Sequence, residues 1–236
     1  MELNREWEAF TAAVPWFTHN RPKARPTGWQ PAGSWTPSSS KFEQLFPSLY
    51  ALLHAATLTA VENGAERFVL FSWWRDEKHF GWLSPEDHGV PEGIFPDHAV
   101  LLQSFRGSVE TYNSPDTWIL NHNDVLTANL SGTDATFIEA YGWAFEDIGG
   151  IPIDLAHFYS IAEEANGNAT LCDRRTGDVL LFAPDHAFDY VTVLEGCPEY
   201  SFYRLNGADR FAAWVDTIAK QVDRPSARGR VTTGCS

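Results

Sequence analysis

The sequence predicts an α+β protein in which an antiparallel meander sheet is flanked by helices and preceded by a helical extension. The first observation is a series of short runs rich in aromatic and β-branched residues between residues 151 and 205. Turn-forming pairs such as Asn166-Gly167 separate these runs, and Asn-Gly favours tight hairpins because both residues tolerate positive φ. The second observation is an apolar stripe with helical spacing near each end of the chain, at residues 3–17 and 211–218.

The helical extension begins with apolar residues three and four apart, which share one helical face: Leu3, Trp7, Phe10, Val14 and Phe17. Pro15 is expected to disturb the last turn. Residues 18–40 hold four prolines, two glycines and three consecutive serines, a composition that predicts irregular structure. Because Trp29 and Trp35 lie in this segment, we expect it to pack against the rest of the protein.

A longer helix is predicted over residues 46–64, because the Asn63-Gly64 pair suits a left-handed C-cap. Ser40 and Glu43 have capping-box spacing and indicate an earlier start, which Pro47 opposes because it lacks an N–H. Residues 66–74 alternate between two almost wholly apolar faces. This pattern predicts a strand that is buried on both sides.

Residues 90–150 contain shorter predicted elements. A helical pattern around Val100 ends at Arg106-Gly107, and residues 108–112 and 117–121 are predicted strands. Residues 121–124 open another short helix. Residues 135–147 have a helical or mixed pattern that Gly149-Gly150 closes.

The meander strands are predicted from runs bounded by Gly, Pro, Asn and Asp, at residues 157–162, 168–172, 177–183, 188–194 and 200–205. Asp209 can cap a final helix whose apolar stripe covers one face of this sheet. The chain is thus divided into an N-terminal part (1–89), an α+β domain (90–222) and a tail (223–236) that is predicted to be disordered.

The charge of the chain restricts its partners. With 17 Lys and Arg against 31 Asp and Glu, the formal net charge is −14. Nucleic-acid binding and attraction to anionic membranes both depend on cationic side chains, so neither is expected here. A hydrophobic content of 44% and an aromatic content of 14% predict a globular protein rather than a disordered one.

Cysteine content and targeting patterns predict a cytoplasmic protein. Cys172, Cys197 and Cys235 form no Cys-x-x-Cys arrangement and cannot all be paired in bridges, which favours a reducing compartment. The chain shows no secretory signal pattern. It also has no run approaching the ~20 apolar residues of a membrane-spanning helix.

A search for catalytic motifs assigns no catalytic residue, metal ligand or cofactor site. Nucleophile-elbow, Walker, dinucleotide-binding and His-Glu-x-x-His motifs are absent from the sequence. His122, two residues before Asp124, could act as a general base, but a helix cap explains these residues equally well. His186 with Asp185 and Asp189 could form a ligand group, but a turn between two strands explains them better. Cys172 precedes two arginines that would favour a thiolate, but the end of a predicted strand favours a small buried side chain.

A hydrolase is an alternative hypothesis. The acidic pairs Glu146-Asp147 and Glu163-Glu164 supply carboxylates, and Trp73-Trp74 could line a sugar-binding cleft. Glycoside hydrolysis needs two carboxylates about 5–10 Å apart across the bond, a geometry that sequence does not reveal. Solvated charge and core packing explain the same residues without catalysis.

The C-terminal part of the chain contains a series of short motifs: Phe95-Pro96-Asp97-His98, Ile151-Pro152-Ile153-Asp154, Ile161-Ala162 through Asn168, Gly177-Asp178-Val179, and a closing helix with Phe211 and Trp214. Their order over residues 90–222 resembles the SUKH superfamily, which includes the Smi/Knr-like bacterial immunity proteins. The resemblance implies an α+β fold, no shared catalytic machinery and binding of a protein partner. Such partners are commonly polymorphic toxins, including basic nucleases.

An acidic chain can steer a cationic partner toward itself, in agreement with that resemblance. The first hypothesis is therefore a non-catalytic immunity protein that neutralises a bacterial toxin with a cationic site. A carbohydrate-active hydrolase and a regulatory scaffold protein are the alternatives. The candidate contacts, selected by residue type, are four carboxylates and a tryptophan anchor: Asp116, Glu146, Asp147 and Asp173, with Trp82 or Trp118.

Overall fold

The protein has two five-stranded antiparallel sheets and several helices in a computed structural model, which confirms the predicted α+β class. The structure describes residues 5–75, 78–86, 89–113, 134–163, 167–185 and 190–223. Two predicted segments lie outside these residues, namely the elements at 117–124 and the tail beyond Asp223. No helix among the described residues has the length and apolar character required to cross a bilayer.

The first sheet has strands in the order β1-β2-β3-β4-β5, each antiparallel to the next. Its strands are β1 (Arg25–Gln30), β2 (Thr57–Asn63), β3 (Glu66–Arg75), β4 (Lys78–Pro85) and β5 (Glu110–Tyr112). The second sheet has the order β6-β7-β8-β10-β9. Its strands are β6 (Phe158–Glu163), β7 (Ala169–Asp173), β8 (Val179–Phe182), β9 (Val191–Val193) and β10 (Phe202–Leu205).

Six α-helices and two 3₁₀ helices are present in the described part of the chain. The α-helices are α1 (Arg5–Ala13), α2 (Pro15–Asn20), α3 (Ser40–Leu45), α4 (Pro47–His54), α5 (Pro96–Ser104) and α6 (Phe211–Asp223). The 3₁₀ helices cover Thr136–Ile148 and Leu155–His157.

Alternate strand residues enter different cores, as the period of two in a β-strand requires. In β3, Leu70 packs with α1 and α2, whereas Phe71 enters a large core shared by α3–α6 and both sheets. In β8, Leu181 enters the same large core, whereas Leu180 packs toward the 3₁₀ helix Thr136–Ile148. Each sheet is therefore covered on both faces, and that 3₁₀ helix covers the outer face of the second sheet.

The long helix predicted over residues 46–64 is wrong in its second half. Helix α4 ends at His54, and Thr57–Asn63 forms β2, where β-branched residues pack well on a pleated surface. Asn63 pairs with Glu66, so the intervening Gly64 occupies a two-residue hairpin loop rather than a helix cap. Its φ of +66° suits the first position of such a loop.

The segment predicted to be irregular contains a strand, β1. It pairs with β2 at the edge of the sheet, and a register shift between Pro26 and Gly28 accommodates the proline.

The predicted meander order of the second sheet is also corrected, because β10 lies between β8 and β9. Finally, β5 pairs with β4, so the first sheet continues across the boundary expected after residue 89.

Candidate functional site

Negative charge is concentrated in one segment of the chain. Between Arg106 and Arg174 the sequence has no Lys or Arg but eleven Asp and Glu, which is −11 of the total formal charge of −14. Within this segment the structure describes β5, both 3₁₀ helices, β6 and β7. The longer 3₁₀ helix, Thr136–Ile148, carries the most exposed apolar side chain of the described residues, Trp143.

Local hydrogen bonds define the two ends of this helix. The Asp134 carboxylate accepts hydrogen bonds from the hydroxyl of Thr136 at 2.6 Å and from its backbone N–H at 3.2 Å. These two bonds, the hydroxyl first, hold the pKa of Asp134 below its ordinary value. At the other end Gly149 adopts a φ of +84°, and its N–H bonds to the carbonyl oxygen of Glu146. The Gly149-Gly150 ending is as predicted.

The inner side of the helix is fixed by aromatic contacts with the second sheet. Phe145 is fully buried and stacks on Phe202, with ring centroids 5.5 Å apart. Tyr141 packs edge-on against Phe182 at 5.1 Å. Aromatic ring pairs contribute stabilisation beyond the free energy of the area they bury. These contacts therefore give this side of the helix a defined position on the sheet.

The outer side presents an aromatic and acidic row. A 3₁₀ helix has about three residues per turn, so side chains three apart lie above one another. Phe137, Trp143 and Glu146 are separated by six and three residues and so follow this spacing. Phe137 is 37% exposed, Trp143 is 66% exposed, and Glu146 is also exposed. Asp147 and Ile148, which follow Glu146 in the sequence, are also exposed, Ile148 at 45%. We call Phe137, Trp143, Glu146, Asp147 and Ile148 the acidic-aromatic surface.

This surface exposes an aromatic ring and two carboxylates that make no ring contact, ion pair or side-chain hydrogen bond within the described part of the chain. Trp143 has no ring contact with any described residue, and the Glu146 and Asp147 carboxylates have no ion-pair or hydrogen-bond partner among them. Large exposed aromatic side chains next to free charges are typical of protein–protein contacts. A tryptophan supplies buried area and the carboxylates supply charge complementarity.

The structure brings together two of the six predicted contacts, Glu146 and Asp147. Asp116 and Trp118 lie outside the described residues. Trp82 is wrong as a surface anchor, because it is 1% exposed and packs edge-on against Trp73 with ring centroids 5.4 Å apart. It belongs to the large core.

Asp173 is wrong as a free contact, because its carboxylate is buried in a turn. It accepts hydrogen bonds from the backbone N–H of Arg175 at 2.7 Å and of Thr176 at 3.1 Å. Desolvation acts to raise the pKa of Asp173, but these bonds and the Arg175 guanidinium outweigh it and lower the pKa. The side chain therefore stabilises the turn between β7 and β8.

The predicted contacts did not include Trp143. The sequence contains two patterns that point to it: the absence of basic residues over 107–173, and the three-residue spacing of Phe137, Ala140, Trp143 and Glu146. The second pattern is informative only for a 3₁₀ helix.

The hydrolase alternative requires two carboxylates in one cleft. A cleft of about 370 Å³ lies on the inner side of the first sheet, but Glu86 is the sole carboxylate among the described residues that line it. Trp73 and Trp74 do not share a cleft, since consecutive strand residues point to opposite faces. Trp73 is buried, whereas Trp74 is exposed. The ring centroids of Trp74 and His79 are 4.4 Å apart.

The buried thiol of Cys172 confirms the core interpretation of that residue. Burial raises the pKa of Cys172 to about 12, although a hydrogen bond with Tyr159 acts against the shift. The thiolate that a nucleophile requires is thus disfavoured. Within the described ranges, no three His, Cys, Asp or Glu side chains are grouped so that they could hold a metal ion. His122 and His186 lie outside those ranges.

Comparison with family models, curated proteins and solved structures finds no match for this chain. Two of the motifs that carry the SUKH resemblance are in contact in the structure. The ring of Phe95 lies so close to Gly177 that a Cβ added to the glycine would be 2.4 Å from the Phe95 Cζ. The resemblance itself stays a hypothesis about the family.

Proposed function

We propose that this protein is a non-catalytic binding module whose acidic-aromatic surface holds a cationic protein partner. The observation that carries the proposal is Trp143, which is 66% exposed on the same helix as Glu146 and Asp147, whose carboxylates are unpaired among the described residues. An exposed tryptophan is costly to keep in water, and a partner pocket that removes it from water gains the corresponding free energy. The two carboxylates favour a partner of positive charge.

We further propose that the partner is a bacterial toxin and that this protein is its immunity protein. An immunity protein that neutralises a bacterial toxin in the cytoplasm needs affinity and selectivity rather than catalysis. The SUKH-like motif order supports this role, and the charge of −11 over residues 107–173 supports a toxin with a cationic site, such as a basic nuclease. Charge complementarity of this kind raises the association rate and disfavours wrong partners.

The proposal predicts that a gene beside that of this protein encodes a toxin domain, and the direct experiment uses that domain. We expect the protein to protect cells that express this domain and to bind it in surface plasmon resonance. Trp143→Ala is expected to weaken binding by about 30- to 1,000-fold, the effect of losing a central tryptophan anchor. Because Trp143 is mostly exposed, the free energy of unfolding should change by no more than about 0.5 kcal/mol.

Trp74→Ala is the matched control, because Trp74 is also exposed, at 54%, but belongs to the first sheet. It should leave binding to the toxin domain unchanged. Equal losses in both variants would contradict a role for the acidic-aromatic surface. Failure of the wild-type protein to bind or protect would contradict the immunity role and favour the scaffold alternative.

The carboxylates are tested by association kinetics. Glu146→Gln with Asp147→Asn is expected to lower the association rate constant several-fold at low salt, with little change in the dissociation rate constant. Glu8→Gln with Glu43→Gln removes the same net charge from exposed positions in α1 and α3. If this control has the same effect, the total charge rather than the acidic-aromatic surface controls association.

A further inference from the structure

The cleft on the first sheet has the dimensions of a small-molecule site, and its lining combines polar and apolar residues. Its volume of about 370 Å³ lies within the range of roughly 300–1,000 Å³ that is usual for ligand pockets. Three aromatic residues, Trp35, Phe71 and Phe105, are among the residues that line it. Residues of the first sheet and the end of α5 meet there, so the cleft is built from elements of defined position.

Arg106 distinguishes this cleft from an ordinary gap in packing. Its side chain contributes to the lining, and its Nη1 atom is shielded from solvent without any hydrogen-bond partner in the described part of the chain. Two other arginines are paired: Arg174 donates to the carbonyl of Gly93 at 2.9 Å, and Arg210 lies 2.9 Å from Asp178. Shielded donor atoms are normally hydrogen-bonded, so the Nη1 atom of the partly buried Arg106 points to an acceptor from outside the chain.

Glu86 lines the same cleft but does not satisfy Arg106. The two side chains form no ion pair within 4.0 Å, and Glu86 is exposed. The acceptor that the Arg106 guanidinium needs is therefore not supplied by the acidic side chain of its own cleft. An anionic acceptor from a ligand would also be repelled by the Glu86 carboxylate. Removing the charge of Glu86 therefore provides a second test of the site.

We propose that this cleft binds a small molecule with an apolar body and one anionic group, carboxylate or phosphate. The apolar body packs against the apolar part of the lining, where Trp35 is the most exposed aromatic residue, and the anionic group pairs with the guanidinium of Arg106. The planar fork of an arginine matches both kinds of anion and forms charge-assisted hydrogen bonds with them. The flexible side chain allows the fork to turn toward an entering anion. This site is independent of the acidic-aromatic surface.

The test is isothermal titration calorimetry of the full chain with three probes that share a phenyl group: 4-phenylbutyrate, 4-phenyl-1-butanol and phenyl phosphate. At least one anionic probe is expected to bind with a Kd of about 1 mM or below, and the neutral alcohol about tenfold more weakly. The stronger of the two anions identifies the anionic group. Equal binding of alcohol and anions, or no binding of any probe up to about 10 mM, would overturn the proposal.

Three single substitutions assign the binding to the cleft. Arg106→Gln should weaken binding of the anionic probe about tenfold or more, because it removes a charge-assisted pair. Arg25→Gln, at an exposed position in β1 outside the cleft lining, should have no effect. Glu86→Gln should strengthen binding a few-fold by removing a like charge.

A purely structural role of Arg106 does not explain opposite effects at Arg106 and Glu86. Thermal unfolding midpoints of the variants show whether each remains folded. If Arg106→Gln unfolds, Ser34→Phe replaces it, since this loop residue lines the cleft and a phenyl ring there fills it. Unchanged probe binding in both Ser34→Phe and Glu86→Gln would overturn the assignment.

Discussion

The contact between Gly177 and Phe95 gives a sharp test of the structure, through the substitution Gly177→Ala. Gly177 has a φ of +71°, in the left-handed region, where a Cβ costs about 1–2 kcal/mol. The added Cβ would also lie 2.4, 2.5 and 2.9 Å from the Cζ, Cε1 and Cε2 atoms of the Phe95 ring. That ring packs against Phe211 with centroids 6.2 Å apart, which limits how far it can retreat.

The expected loss of stability is the sum of these two effects. Overpacking of this kind typically costs about 1–3 kcal/mol, so Gly177→Ala should lower the free energy of unfolding by about 2–5 kcal/mol in total. Gly64→Ala is the matched control, because Gly64 has a φ of +66° and no atom within 4 Å of an added Cβ. It should cost about 1–2 kcal/mol, the conformational part alone.

Urea unfolding at pH 7, followed by tryptophan fluorescence, measures both variants under the same conditions. Adding Phe95→Leu to Gly177→Ala should recover part of the loss, and a double-mutant cycle isolates the coupling. Equal losses for Gly177→Ala and Gly64→Ala, or no coupling with Phe95→Leu, would refute the close approach of Phe95 to Gly177.

Three further predictions concern buried polar groups. Because burial raises the pKa of Cys172 to about 12, iodoacetamide at pH 8 should leave its thiol unmodified in the folded protein and alkylate it in urea, as mass spectrometry would show. Tyr159→Phe removes the 2.8 Å hydrogen bond to His98 and should lower the free energy of unfolding by about 1–3 kcal/mol in urea titrations. Folding lowers the pKa of Asp173, so its ionised carboxylate stabilises the fold above the unfolded pKa, and this stabilisation is lost as pH falls through the folded pKa. Asp173→Asn should therefore cost about 1–3 kcal/mol at pH 7, and its difference from wild type should shrink below about pH 4.

Local patterns predicted the second half of the fold better than the first. The strands of the second sheet and helix α6 follow from alternating apolar runs, turn residues and an i, i+3, i+4, i+7 stripe. The order of the strands in the sheet does not follow from local patterns. Strand β9 has only three residues, and no local pattern shows that β10 lies between β8 and β9. In the first half, Leu52, Val61 and the residues between them are apolar enough to suit a helix or a strand. Pairing with β3 decides the outcome for β2.

The candidate contacts show what residue type alone does not reveal. Trp82 and Asp173 are a tryptophan and a carboxylate, as expected of a binding site, but tertiary packing buries one and a turn binds the other. Glu146 and Asp147 share their residue type with Asp173 and are exposed. The difference lies in backbone N–H groups that approach Asp173 from the following residues and are not presented to the other two.

Helix geometry decides whether the acidic-aromatic surface exists at all. In an α-helix successive residues rotate by about 100°, which would place Glu146 on the side opposite Phe137 and Trp143 about 120° away from Phe137. In a 3₁₀ helix the rotation is about 120°, so all three side chains point the same way. Runs of this length are uncommon in 3₁₀ form, and here the packing of Ile138, Tyr141 and Ala144, which are three residues apart, on the second sheet favours the conformation. The binding surface is therefore a product of core packing on the opposite side of the same helix.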